Sequence, residues 1–359
     1  MKRILILEPY YGGSHKNFLD GVQKHVTANY HLLTLPARNW KMRMQLSALW
    51  FVEQIKVLPV GERQFDSVLC SSFTDVAVLR ALLAGVHGWN YQAKILTYFH
   101  ENQFVYPQRF DAPGQFQFAA INFHSALASD GIAFNSAYNR ESFFAGCRSG
   151  LKAAMDMKFS GIIQKLAGKT IILSPGIDFS AIDRNEWKMA PEVPVIIWNH
   201  RWEHDKNPES FFHALHQMEQ RGIDFRLIVL GQSFPASPAC FAHGEKKFQE
   251  KILHYGFVPC HEQYLSLLSQ GDIVVSTSLH EFYGISILEA VRAGCLPVLP
   301  NRLSYPELFE NAFLYSDGSL AERLEKVITD RRRLSRKTAT AMTDRFGWPS
   351  LRQAYSEWL

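Results

Sequence analysis

The sequence predicts an α/β protein built from two doubly wound parallel sheets. Three observations carry this. Short apolar runs alternate with amphipathic stretches along the chain, the pattern of repeated βα units. The alternation breaks at "SPGID" (174–178) and resumes at "VPVIIW" (193–198), which divides the 359 residues into two halves of domain size. Hydrophobic residues make up 47% and charged residues 20% of the chain, enough apolar material for two cores.

In the first half the strand candidates are "RILIL" from Arg3, "HLLTL" from His31, "SVLC" from Ser67, "KILTYF" from Lys94, "GIAF" from Gly131 and "TIIL" from Thr170. Helices are expected over 14–26, 75–84, 115–128 and 137–144. The second series runs through "VPVIIW", "FRLIVLG", "HYGFVP", "DIVVST", "LPVLP" and "AFLYS", with helices from Pro208, His243, His261, Ile285 and Tyr305. The expected division is a first domain over 1–173, completed by a C-terminal helix at 346–359, a linker over 174–193 and a second domain over 194–345. Two such domains are expected to face each other across a cleft, with ligands at the carboxyl ends of the strands.

A formal charge of +4 is a weak pointer to an anionic partner. The five cysteines form no C-x-x-C pair and read as reduced thiols. The opening "MKRILILEP" has an apolar run too short for a signal peptide, and no apolar run is long enough to span a membrane. The expectation is a soluble, cytoplasmic protein without a membrane partner; its oligomeric state stays open.

The stretch "HEFYGISILEAVRAGCLPVLP" (280–300) holds two glutamates eight residues apart, Glu281 and Glu289. "DIVVSTS" before it reads as a strand, "HEFYG" as the loop leaving its carboxyl end and "ISILEAVRAG" as a helix stopped by Gly294. Backbone N–H groups from Tyr283 to Ser286 then form a ready phosphate site. Glu289 can reach past that phosphate to a sugar diol, and Glu281 can accept from hydroxyls at the other end. The spacing suits a nucleoside diphosphate sugar. The plainer reading, a helix-start acid and an exposed Glu, stays open on spacing alone.

In "NHRWEHDKNPESFF" (199–212), Arg201 and Lys206 stand five apart after a strand, and Pro208 opens a helix. The sequence has no Asp-x-Asp pair for a divalent ion. An Arg, a Lys and a helix N-terminus can carry a departing diphosphate without one; two solvated loop cations are the alternative. No metal is expected, and His200 and His204 read as solvent-facing. In the first half, "EPYYGGSHKNF" (8–18) places Gly12-Gly13 for close backbone approach and Ser14 as an N-cap. "YFHENQFVYP" (98–107) places His100 and Glu101 after a strand, where they can position or deprotonate an attacking hydroxyl. His100 as a packed, hydrogen-bonded side chain is the other reading. Arg38, Lys41 and Arg43 around Trp40 suit an RNA backbone and an unstacked base, or a solvated basic helix face. "DRRRLSRK" (330–337) reads as an exposed helix, with an RNA contact as the alternative.

With these pieces together, the second half resembles the retaining GT-B glycosyltransferases: "HEFYGISILEA" is similar to their E-x7-E motif, "RWEHDK" to their R-x4-K diphosphate site and "SPGID" to their interdomain strand end. The first half, through "EPYYGGSHK", "LPARNWKMRMQLSALWF", "YFHENQFVYP" and "FNSAYNRESFF", resembles the tRNA-queuosine mannosyltransferases. The resemblance implies a GT-B fold, GDP-mannose as donor, no cofactor, and queuosine in the anticodon of aspartate tRNA as acceptor. It implies Glu281 at the transferred sugar, Glu289 at the ribose, and Arg201 and Lys206 at the diphosphate. Phe282, Tyr283, Gly284, Ile285, Ser286, Gly12 and Gly13 complete the donor site. Tyr10, Tyr11, His15, Arg38, Trp40, Lys41 and Arg43 would meet the acceptor, with His100 and Glu101 joining Glu281 in catalysis.

Overall fold

The computed structural model describes residues 1–106, 115–153, 156–185 and 192–359. The chain forms two units, Met1–Ile177 with Trp348–Leu359, and Asp178–Gly347. Each is organised round a six-stranded parallel sheet.

In the first unit the strands are β1 (Arg3–Tyr11), β2 (Asn29–Pro36), β3 (Ser67–Ser71), β4 (Lys94–Phe99), β5 (Gly131–Phe134) and β6 (Thr170–Ile172), in the order β2-β1-β3-β4-β5-β6. Strand β3 is buried along its length, whereas the edge strands β2 and β6 are partly exposed. Helices on both faces make the central strands of parallel sheets apolar on both sides. The helix Trp348–Trp358 belongs to this unit. Its Trp348 lies so close to Gly21 and Gly176 that a Cβ on either would come within 2.5 and 2.3 Å of the ring. Tyr355 donates to the Ser174 carbonyl at 2.8 Å, and Ser67 donates to the Leu359 carbonyl at 3.0 Å.

The second unit holds β7 (Val195–Asn199), β8 (Arg226–Leu230), β9 (Ile252–Gly256), β10 (Ile273–Val275), β11 (Leu296–Pro300) and β12 (Leu314–Tyr315), in the order β12-β11-β10-β7-β8-β9. An aspartate just before a strand pins its neighbour three times over. Asp66 accepts from Arg3 N at 2.7 Å, Asp130 from Ile95 N at 2.8 Å and Asp272 from Val195 N at 2.9 Å. The strand order reverses between β1 and β3 in one unit and between β7 and β10 in the other. Ligands of open parallel sheets collect at such reversals.

Several elements differ from the sequence reading. The stretch 174–193 is not a plain linker: its residues to Ile177 belong to the first unit, and Asp178 onward to the second. Ser180–Asp183 is helical, and Asp183 pairs with Arg292 at 2.6 Å. The helix from Ala137 runs on to Ala153. Within 330–337, Arg331 has a left-handed φ of 49°, and the helix starts only at Arg336, where Ser335 accepts from Thr338 N. Ser14 is not an N-cap. The first helix begins at Gly13, with Gly12 in the cap position. The five cysteines are free thiols. Among the described residues no helix is long and apolar enough to cross a membrane.

Candidate active site

In the second unit the loops after β7 and β10 carry the candidate donor residues. Lys206 is 7% exposed and donates to the His280 carbonyl at 2.6 Å. Its ammonium stands 3.2 Å from Asp205 and 3.5 Å from Glu281. The Asp205 carbonyl accepts from Leu279 N at 2.8 Å and His280 N at 3.3 Å, stitching the two loops together. Burial works to raise the Glu281 carboxyl, yet the charges of Lys206 and His200 hold it below its ordinary value. Burial, with Lys206 beside them, pushes His200 and His280 down to about 4. His200 is 5% exposed, so it does not face solvent; His204 does. Arg201 is exposed and pairs with Glu203 at 3.1 Å.

Gly284 ends this loop with φ 112° and caps the helix Ile285–Arg292, a conformation that disfavours any side chain. The Phe282 and Tyr283 side chains are buried, so this stretch offers backbone rather than rings. Ile285 and Ser286 are partly exposed and precede the first intrahelical bonds, which Ile287 N and Leu288 N make to the Gly284 carbonyl. Glu289 accepts from Tyr264 at 2.9 Å. Asn199 donates to the Ser286 carbonyl at 2.9 Å and to Tyr264 at 3.3 Å, which fixes the helix start against β7. Burial pushes Glu289 up to about 7 against the opposing Tyr264 bond. Asp205, Asn199 and Tyr264 were not singled out from the sequence. Asp205 sits inside "RWEHDK", but nothing in spacing signals the other two.

In the first unit the corresponding edge gathers Glu8, His15 and His100, which are 1%, 4% and 8% exposed. Glu8 accepts from Tyr10 N at 2.7 Å, from Ser71 at 3.2 Å and from His15 Nδ1 at 3.1 Å. The His15 ring stacks on His100 with centroids 4.1 Å apart. His15 is therefore enclosed rather than presented to an acceptor. Tyr10 packs edge-on against Phe73, and Tyr11 donates to Asp20. Glu101 is partly exposed beside them. A Cβ on Gly12 would fall 2.5 Å from that of Ala37, so this glycine serves packing; Gly13, at φ 52°, has open space.

Arg38 and Lys41 are exposed and Arg43 is partly buried. Trp40 is not free to take up a base from both faces. It packs against Phe73, Phe118 and Tyr106, with the Lys41 ammonium 5.7 Å from its ring.

Glu8, His15 and His100 bring metal-type donor atoms within 4.8 Å of one another, a grouping not repeated among the described residues. His15 Nδ1 is already bonded to Glu8, and the two imidazoles lie at 29° in a stack.

Residues 3–177 match the family described as tRNA-queuosine alpha-mannosyltransferase N-terminal, and residues 180–344 match glycosyl transferases group 1. The tRNA-queuosine alpha-mannosyltransferase of Drosophila melanogaster is 33% identical over 325 residues, covering 88% of this chain and 84% of the fly protein. The chain belongs to the tRNA-queuosine alpha-mannosyltransferase family. A GDP-mannose:cellobiosyl-diphosphopolyprenol alpha-mannosyltransferase of Xanthomonas campestris is 30% identical over 107 residues, 29% of this chain and 28% of its own. Among solved structures, starch synthase IV of Arabidopsis thaliana superposes with TM-score 0.72 at 12% identity, covering 99% of this chain and 98% of that one. HepE of Anabaena with UDP gives 0.68 at 16% identity, covering 99% of each chain. These likenesses establish the GT-B fold of this family member.

Proposed function

We propose that this protein transfers mannose from GDP-mannose to queuosine in the anticodon of aspartate tRNA, with retention and without a metal ion. The observation that carries the reading is the match to a tRNA-queuosine alpha-mannosyltransferase along 88% of the chain. The chemistry of the two sheet edges supports it. Arg201, Lys206 and the backbone N–H groups of Ile285 and Ser286 take the diphosphate, where charge builds as the sugar leaves. Glu281 lies beside the transferred sugar and Glu289 beside the ribose. In the first unit His100 and Glu101 receive the acceptor hydroxyl. The bond from the sugar C1 to the diphosphate breaks as a bond from C1 to that hydroxyl oxygen forms on the same face. The hydroxyl proton leaves to His100 or to the departing diphosphate. The test is GDP-mannose with aspartate tRNA carrying or lacking queuosine, followed by mass analysis of nucleosides. Mannose on queuosine alone is expected; equal incorporation into both tRNAs rejects the acceptor.

One observation favours a second reading, a lipid acceptor. The helix Trp40–Val57 buries Met44, Phe51 and Ile55 but exposes Met42, Leu46, Leu49 and Val57. Flotation with anionic vesicles separates the two readings, because a tRNA enzyme stays with its RNA and a lipid enzyme follows the vesicles.

A further inference from the structure

The first-unit edge holds a buried carboxylate and two buried imidazoles in one line. Glu8 lies in the carboxyl-terminal half of β1, and its three donors come from β1 itself, from Ser71 on β3 and from the helix Gly13–His25. The His15 ring is sandwiched, with Phe73 at 5.2 Å on one side and His100 at 4.1 Å on the other. His100 also contacts Phe18, edge-on with centroids 4.9 Å apart, and Tyr98 at 4.7 Å. Its Nε2 is buried and has no hydrogen-bond partner among the described residues. Leaving such an atom unpaired is unfavourable.

We propose that Glu8 is a positioning residue: its carboxylate clamps His15, and the clamped imidazole holds the ring of His100 in place for the acceptor. The proposal rests on the acceptor role given to His100 above. Glu8 touches neither substrate nor reacting atoms and acts through His15. The electrostatics of the cluster agree. Burial opposes protonation of His15, but Glu8, and more weakly Glu101, raise it above its ordinary value. Burial first, and then the His15 charge, drive His100 well below its own. The other groups facing the pair do not upset this. Burial pushes the Cys70 thiol up and keeps it neutral. Lys16 and Asp20 on the helix pair with each other, and the Tyr98 hydroxyl donates to the Leu173 carbonyl. The contacts of the cluster thus favour a proton on His15 over one on His100.

The test is Glu8→Gln in the full chain, read by NMR titration of ring-labelled histidines, by the pH profile of kcat and by nucleotide affinity. In the unaltered protein His15 is expected to titrate above 6.5 and His100 to stay neutral to lower pH. In Glu8→Gln the His15 midpoint should fall and the His100 midpoint rise. The acid limb of kcat should then move to higher pH, and kcat near neutrality should drop roughly tenfold, with nucleotide affinity unchanged. His15→Gln removes the same charge and should raise the His100 midpoint too, so the test stands even if Glu8→Gln does not fold. Unshifted histidine midpoints, with activity falling only as the folded fraction falls, overturn the proposal. Absence of mannose transfer by the unaltered protein rejects the function; the titrations decide the clamp independently.

Discussion

The Lys206 ammonium lies 3.5 Å from the Glu281 carboxylate while donating to the carbonyl of His280, the residue before it. One cation therefore fixes both the charge and the backbone of the loop leaving β10. Two chemical demands meet here. Under the proposed function, a glutamate beside the transferred sugar must be ionised despite partial burial, and a diphosphate must find positive charge nearby. Because the folded-state value of Glu281 is lowered, the stability from this pair is fully present above its ordinary value. It is lost as pH falls through the lowered one.

Lys206→Met should remove both services at once. Breaking one side of a buried ion pair costs on the order of 3–5 kcal/mol, because Glu281 and Asp205 stay behind. The expected outcome is a clearly lower melting temperature, with a kcat loss of at least about 10². Glu281→Gln keeps the shape and should lose kcat by a similar factor with GDP affinity nearly intact. Titration calorimetry and steady-state kinetics check this; weaker GDP binding with normal kcat in Glu281→Gln would exchange the roles of the two glutamates.

Donor affinity should depend on pH through Glu289, which burial holds at about 7. If the ribose diol donates to the ionised carboxylate, as proposed, binding below pH 7 requires a proton to leave. Affinity should therefore rise with pH, by up to about tenfold per unit, and level off above neutrality. Calorimetry near pH 6 in two buffers of different ionisation heat should detect proton release. Glu289→Gln should bind more weakly and lose the pH dependence.

A metal-free mechanism predicts full activity in excess EDTA and near-inactivity in Arg201→Ala. Arg201 is exposed beside Glu203, so its truncation should leave stability within about 0.5 kcal/mol of the unaltered protein. Activity abolished by chelator and restored by magnesium or manganese would reject the mechanism.

Much of this was legible because parallel sheets write themselves plainly. Runs such as "VIIW" and "DIVVST" hold buried strands, and the loops at their carboxyl ends carry Arg201, Lys206 and Glu281. What stayed hidden depends on contacts between distant parts of a unit. The clamp of Glu8 on His15 needs β1 and the first helix in register. The Asn199 bond to the Ser286 carbonyl joins residues 87 apart. Trp40 read as a base-stacking aromatic because its partners Phe73 and Phe118 lie on other elements. Ser14 lost the cap position because Gly13 takes up the left-handed turn one residue earlier.

Arg38 and Lys41 are exposed, whereas Arg43 is partly buried and Trp40 is held in an aromatic cluster. If anticodon-loop phosphates are met here, tRNA affinity should fall steeply with salt, with a log–log slope of about −0.7 for each phosphate neutralised. Arg38→Glu with Lys41→Glu should flatten that slope by roughly two such contributions and leave GDP affinity unchanged. Arg43→Glu should do less to the slope and more to stability, since it places a charge against a partly buried surface. Trp40→Ala should lower the melting temperature by loosening the Phe73 and Phe118 packing. Filter binding across a salt series, with melting curves for each variant, checks all four. A slope unmoved by the double charge reversal would take the tRNA path off this helix.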